Sequence, residues 1–208
     1  YGSLPSFGPG LLGSERERAG IVHRLDKDTS GVMVVARTQE SLRSLSAQFK
    51  SRVVQKRYLA LVSGVIKKGS GTIEVGLGRH VKERKKISVY THKAREAVTL
   101  YKVKERFKNA TLIEVEIKTG RTHQIRVHMA HIGHPLVGDP VYGGRPRLPK
   151  GGSQEMIRAV QQFPRQALHA RRLGLMHPVT GSQMDWESPL PADMVALLAT
   201  LAEDAKNG

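Results

Sequence analysis

The sequence predicts a single α+β domain in which a mixed, largely antiparallel sheet is flanked by helices and loops around a basic cleft. Three observations predict it. Short β-branched apolar segments outnumber amphipathic helical ones and do not alternate strictly with them, which argues against a doubly wound parallel sheet. A hydrophobic content of 39% over 208 residues is enough for one sizeable core. Apolar runs fall well short of the roughly 20 residues that cross a bilayer, so a membrane span is excluded.

Residues 1–18 are rich in Gly, Pro and Ser and lack the charged start and apolar stretch of a signal peptide. A flexible N-terminal segment is expected there, with the folded domain over 19–208. Because the chain begins with Tyr1 rather than Met, preceding sequence is expected to have been removed. Gly31 to Ala36, short, apolar and β-branched, reads as a buried strand. Thr38 is placed to cap a helix carrying Leu42, Leu45 and Phe49 on one side. Val53 to Ile66 reads as a long strand or hairpin arm, Lys67 to Gly71 as a turn, and Thr72 to Leu77 as a further strand.

His80 to Lys86 (HVKERKK) is a basic loop, either a phosphate-contacting element or a solvated hairpin tip. Ile113, Val115 and Ile117 alternate with Glu114, Glu116 and Lys118, the pattern of a strand with one face to water. A helix follows from Thr122 to His131, with Ile125, Met129 and Ile132 inward, and Gly133 and Pro135 end it. Gly143 to Gly152 is a Gly/Pro/basic loop and Leu168 to Leu175 a strand. A proline-led amphipathic helix runs from Pro191 to Ala202.

Charge narrows the function. Lys and Arg number 34 against 18 Asp and Glu, a formal +16, so polyanions and above all nucleic acid are the natural partners. Aromatics are only 5%, which favours recognition of a shaped RNA over an open single-strand stacking platform. The lack of cysteine excludes disulfides, thiol catalysis and Cys-based zinc sites, and fits a reducing, cytoplasmic setting.

Two polar segments stand between apolar ones. In Gly20-Ile-Val-His-Arg-Leu-Asp-Lys-Asp-Thr-Ser-Gly31, a carboxylate on a loop held by rigid elements is a candidate for chemistry. The alternative is a turn in which Asp26 or Asp28 bonds its own backbone. In Thr119-Gly-Arg-Thr-His-Gln-Ile-Arg-Val-His128, arginines surround a helix start, where phosphate or a carboxylate would be held, unless the helix is merely capped and its basic residues solvated. His123, His128, His131 and His134 follow no zinc spacing and have no ligating carboxylate beside them, so no metal is expected.

His23-Arg-Leu-Asp-Lys-Asp-Thr-Ser-Gly31 resembles the signature of the RluA-type family of pseudouridine synthases. Three further matches come in family order: Lys56-Arg-Tyr-Leu-Ala60, Gly120-Arg-Thr-His-Gln-Ile-Arg-Val-His128, and Gly133-His-Pro-Leu-Val-Gly-Asp-Pro140 with Tyr142-Gly143. The resemblance implies a pseudouridine synthase catalytic domain that turns uridine into pseudouridine without metal or organic cofactor. The catalytic aspartate falls on Asp26, which either attacks the ribose or removes a sugar proton, and its ion-pair partner falls on Arg126.

Arg24 resembles the residue that takes the space of a flipped base, a step needed because a stem hides the glycosidic bond. Tyr58 matches a tyrosine that stacks on the target base and takes the proton from carbon five. Leu168 matches the apolar floor of the pocket, and His23, Arg121, His123 and Gln124 complete the expected substrate-binding set. The stretches Gly138 to Arg147 and Arg165 to Ala170 narrow the resemblance to members acting on large-subunit ribosomal RNA. The implied partners are a ribosomal RNA stem-loop and the assembling large subunit, met by a monomer. Many family members also carry an S4-like RNA-binding domain and an Asn-Lys-Pro motif in their first strands, and neither is found in this sequence. A non-catalytic RNA-binding or ribosome-assembly module is the competing expectation. A DNA-binding regulator would need a helix-turn-helix or zinc pattern that is missing.

Overall fold

The computed structural model describes residues 20–144 and 152–206, so the expected flexible segment 1–18 and the basic stretch Arg145–Lys150 lie outside the described residues. The strands are β1 (Ser30–Gly31), β2 (Gln55–Ser63), β3 (Ser70–Glu74), β4 (Gly78–Arg79), β5 (Ile87–Ser88), β6 (Val98–Arg106), β7 (Ala110–Ile117), β8 (Leu168–Met176) and β9 (Gln183–Glu187). The helices are α1 (Gln39–Lys50), α2 (Gln124–His131), α3 (Gln154–Gln161) and α4 (Ala192–Lys206). The main sheet runs β1-β8-β2-β7-β6-β3, with β9 also on β8, and β4 and β5 form a separate hairpin. Only the β1–β8 pairing is parallel among the described strands, so the mixed, largely antiparallel α+β architecture is as predicted.

Register decides the two faces. Tyr58 pairs with Val115 and Ala60 with Ile113, so these side chains share one face, where Ile125 and Met129 of α2 cover them. Leu61 pairs with Leu112 on the opposite face, which meets Met156 of α3 and Met194, Leu197 and Leu201 of α4. A bulge shifts the β2–β8 register between Arg57 and Tyr58: Tyr58 pairs with Ala170 but Arg57 with Arg172. The extra residue brings Leu173 and Leu175 into line with the cluster under α1, where Leu45 and Val54 are buried. Thr38 caps α1 as expected, its hydroxyl accepting the N–H of Ser41 at 3.1 Å.

Gly31 to Ala36 is not the buried strand that its composition predicts. Only Ser30 and Gly31 pair with β8, and Val35 makes an isolated bridge to Ile21. Val32 to Val35 are half-buried. The N–H of Val34 is taken by Nε2 of His23 at 3.0 Å rather than by a neighbouring strand. Strands β6 and β9 and helix α3 were not anticipated. Lys102, Lys104, Glu105 and Arg106 interrupt the apolar pattern of β6, and β9 is a short exposed edge. Helix α3 is marked only by Ser153, whose hydroxyl accepts the N–H of Met156 at 3.1 Å.

Gly31 has a steric reason to be glycine. Its φ is +121°, and a Cβ there would lie 2.2 Å from the carbonyl oxygen of Ala170. Gly31→Ala should therefore push β1 off β8 at a cost of roughly 2–4 kcal/mol. Thermal unfolding followed by circular dichroism should show a midpoint lower by roughly 5–10 °C. An unchanged midpoint would mean that the close approach has no energetic weight.

Candidate active site

The segment from His23 to Gly31 is fixed residue by residue before any chemistry is considered. A turn closes with the Thr29 N–H on the Asp26 carbonyl at 3.0 Å, and Asp28 sits inside it with φ 68°. Gln166, 1% exposed, donates from Nε2 to the Lys27 carbonyl at 2.6 Å and to the Thr29 hydroxyl at 3.0 Å. Arg165 donates to the Asp28 carbonyl at 3.1 Å and is itself gripped by Asp193 at 2.7 and 2.9 Å. Ser30 lies 3.0 Å from Nδ1 of the buried His169. The polar residues after Asp26 are thus anchors, and they leave Asp26 facing the cleft.

Helix α2 supplies the counter-charge. Arg126, 4% exposed, gives Nε to Oδ2 of Asp139 at 2.7 Å and Nη2 to Oδ1 at 2.9 Å, a bidentate pair. Its Nη1 lies 3.6 Å from Oδ2 of Asp26, an ion pair beyond hydrogen-bonding length. Burial alone would raise the Asp139 carboxyl. The bonds from Arg126, the N–H groups of Tyr142 and Val141, and the guanidinium charge outweigh it and hold the group below the ordinary carboxylate range. Burial likewise works against the charge of Arg126, but Asp139 and then Asp26 raise it above its usual value. The guanidinium is therefore a fixed cation aimed at Asp26.

The cleft in front of Asp26 has a volume of about 540 Å³ and is lined by His23, Arg24, Tyr58, Arg121, His123, Gln124 and Leu168, among others. Every residue expected from the sequence to contact substrate thus meets at one place, with Arg126 behind Asp26. Asp26 is the lone carboxylate among the described lining residues, facing Arg24, Lys50, Arg52, Lys56, Arg95, Lys118 and Arg121. Tyr58 is buried beside it, and desolvation followed by the charge of Asp26 pushes its phenol above the ordinary range. Leu168 is 3% exposed at the start of β8, opposite Ala60.

Two of the expected contacts have a structural task as well. Gln124 accepts from Thr119 Oγ1 at 2.7 Å and the Arg121 N–H at 3.0 Å, and it donates to the Val98 carbonyl and Thr99 hydroxyl, each at 2.9 Å. It fixes the 119–121 turn to β6. His23 stacks on Phe49 with centroids 4.6 Å apart while its Nε2 accepts from Val34. Burial, and then the charge of Lys56, lower the His23 imidazole to about 4.

Arg121 donates to the Glu96 carbonyl at 2.9 Å, and Arg24 is exposed at the mouth. His128 is fully buried between Thr99 and the Val75 carbonyl, each at 2.9 Å. Among the described residues no group of three or more His, Asp or Glu is arranged to hold a metal. Sequence reasoning gave no role to Asp139, Gln166, Arg165 or Tyr142. All four lie in stretches that carry the family resemblance, and Asp139, one glycine beyond the apolar Leu136-Val137 pair, is an acid whose charge needs a partner if buried.

Residues 9–131, more than half of the chain, match the family model described as RNA pseudouridylate synthase. The chain belongs to that family. Curated relatives named ribosomal large subunit pseudouridine synthase D include those of Pseudomonas aeruginosa, 56% identical over 187 residues, and Escherichia coli K12, 49% identical over 187 residues. Each alignment covers 90% of this chain but only 58% and 57% of the relative, so the chain spans little more than half the length of these proteins. Among solved structures, human RNA pseudouridylate synthase domain containing 1 superposes with a TM-score of 0.70 at 30% identity, over 86% of this chain and 71% of that one. Human RNA pseudouridylate synthase domain containing 4 also gives a TM-score of 0.70, at 28% identity, over 88% and 75%.

The depressed imidazole of His23 has a consequence for stability. The unfolded chain protonates this group near 6.5 and the folded one only near 4, so the unfolded state gains protons first as pH falls. This contribution is intact above 6.5 and lost as pH falls through about 4. In urea titrations across that window, His23→Gln, which keeps an acceptor for Val34, should show a shallower loss than the wild type. An identical slope would remove His23 from the account.

Proposed function

We propose that this chain carries the catalytic domain of an RNA pseudouridine synthase that isomerises uridine in large-subunit ribosomal RNA, with Asp26 as the catalytic residue. The observation that carries the reading is a carboxylate that stands alone among the described lining residues of a basic cleft, set 3.6 Å from a guanidinium that a second carboxylate already holds. Asp26 either attacks the ribose or takes a proton from it. The glycosidic bond breaks and uracil turns; carbon five then bonds to the ribose as the Asp26–ribose bond breaks, or as Asp26 returns the proton it took, and the carbon-five proton leaves while N1 gains one from solvent. Neither route needs a metal or an organic cofactor.

The other residues take roles that fit their positions. Arg24, exposed at the mouth, fills the space of the extruded base. Leu168 floors the pocket. Tyr58, held neutral in the free protein by burial and by Asp26, is suited to packing its ring on uracil; it becomes the acceptor of the carbon-five proton only after the charge beside it has changed. His23, Arg121, His123 and Gln124 shape the walls.

A second cavity of about 730 Å³ adjoins the cleft and shares Arg95 and the 120–122 turn with it. Arg79, His80, Arg84 and Lys93 line this cavity around the β4–β5 hairpin, whose tip is the basic loop His80–Lys86. A ribosomal RNA stem-loop, alone or in an assembling subunit, would run its backbone from this hairpin into the cleft and be met by a monomer in the cytoplasm. No helix among the described residues is long and apolar enough to cross a membrane.

Release of tritium from carbon five of labelled large-subunit ribosomal RNA tests the chemistry. The wild type should release it. Asp26→Asn should reduce release by at least about a thousandfold while RNA affinity changes less than about threefold. Release that survives the substitution would refute the assignment of Asp26. Absence of release from the wild type despite tight binding would favour an assembly module instead. RNA affinity should also fall at least about tenfold between roughly 50 and 200 mM salt, and a flat response would remove the basic cavity as a phosphate track.

A further inference from the structure

Tyr142 stands at a junction that the chemistry of Asp26 does not by itself require. Its ring lies under the Arg126 guanidinium, 5.1 Å from centroid to Cζ. Its hydroxyl accepts the N–H of Ile87 in β5 at 2.9 Å and lies 2.8 Å from Nδ1 of His123. Its own N–H goes to Oδ1 of Asp139 at 2.9 Å. One side chain thus touches the basic hairpin, the residue preceding α2 and the guanidinium behind Asp26.

With the Ile87 N–H on the hydroxyl oxygen, the hydroxyl proton is available to Nδ1 of His123. A neutral imidazole with that nitrogen unprotonated accepts it. Burial first, opposed by Asp26 and assisted by Arg126, holds His123 below its usual value, in agreement. His123 needs such a tie, since its backbone is left-handed at φ 53° and its side chain makes no cap to α2. Without the hydroxyl, neither the hairpin nor His123 keeps this partner.

We infer that Tyr142 is a positioning residue: its ring backs Arg126 against Asp26, and its hydroxyl locks the RNA-facing β4–β5 hairpin to the start of α2. The inference rests on the proposed synthase activity for its effect on rate. Its hairpin half stands on the structure alone. The ring and the hydroxyl do separable work, which two substitutions resolve.

The experiment compares wild type, Tyr142→Phe and Tyr142→Leu by single-turnover tritium release at saturating protein, by RNA affinity, and by hydrogen exchange at the Ile87 amide. Tyr142→Phe keeps the ring. Its Ile87 amide should exchange at least about tenfold faster and its RNA affinity should drop several-fold, with a rate constant within about threefold of wild type. Tyr142→Leu should match that affinity but lose at least about tenfold in the rate constant.

Unchanged exchange at Ile87 in Tyr142→Phe overturns the tie. A rate constant in Tyr142→Leu equal to that of Tyr142→Phe, with only a lower melting midpoint, overturns the positioning of Arg126. If Tyr142→Leu fails to fold, Tyr142→Trp takes its place as the variant that displaces the ring. If the wild type releases no tritium, the proposed function fails, and the exchange at Ile87 still decides the tie.

Discussion

The bidentate pair between Arg126 and Asp139 is the interaction on which the site depends. Both side chains are almost entirely out of water, the guanidinium at 5% exposure and the carboxylate at 0%. Two charges at that depth are tolerable only when each is fully bonded. Asp139 meets the condition with the two guanidinium bonds and the N–H groups of Val141 and Tyr142. The arginine is left with Nη1, and it points at Asp26. Had Asp26 been the main partner, its oxygens would be tied up in short hydrogen bonds. Holding the cation with a second acid gives Asp26 the field of a positive charge without consuming its lone pairs.

The sheet and the loops place the two halves of this arrangement independently. Arg126 arrives on α2, which is pressed onto β7 and β2 by Ile125 and Met129 and oriented at its start by Gln124. Asp26 arrives on a turn with no regular structure of its own. The segment before β8 grips that turn through Arg165 and Gln166, and Gly31 brings its exit against Ala170. The carbonyls of Asp26, Lys27 and Asp28 and the hydroxyls of Thr29 and Ser30 each find a protein partner, which fixes the course of the turn. Rigid support on both sides is what a reaction sensitive to sub-ångström placement demands.

Much of this was legible in the sequence, and the failures have physical causes. Strand β7 announces itself by β-branched, alternating side chains, β2 and β8 by short apolar runs rich in Leu, and Ile125 and Met129 mark the inner side of α2. The expected site residues converge because their motifs lie at strand and helix ends. Gly31 to Ala36 misled because apolar composition reports burial preference and not the partner of each N–H. The partner of Val34 is a histidine eleven residues earlier, which periodicity does not encode. The part played by Asp139 was hidden for a related reason. A buried ion pair is a relation between residues 13 apart, and sequence displays only its two ends.

The same logic explains why a strongly basic chain keeps acids where it does. Among the described lining residues of the cleft Asp26 is the one acid, while Asp139 and Asp193, outside that lining, are each spent on an arginine that shapes the site. The other charged side chains described as lining the cleft are positive, although Arg52 is paired with the exposed Glu96 at 3.1 Å. A phosphate backbone entering the cleft would meet a mainly attractive surface, with the Asp26 carboxylate recessed, 18% of its side chain exposed. Asp139 already offsets much of the Arg126 charge, so toward solvent Asp26 is countered chiefly by the cations that line the cleft, Arg24 and Arg121 among them. In the synthase reading proposed above, the basic surface and the recessed acid are two parts of one electrostatic design: the first draws in the polyanion, and the second meets the sugar that enters the cleft.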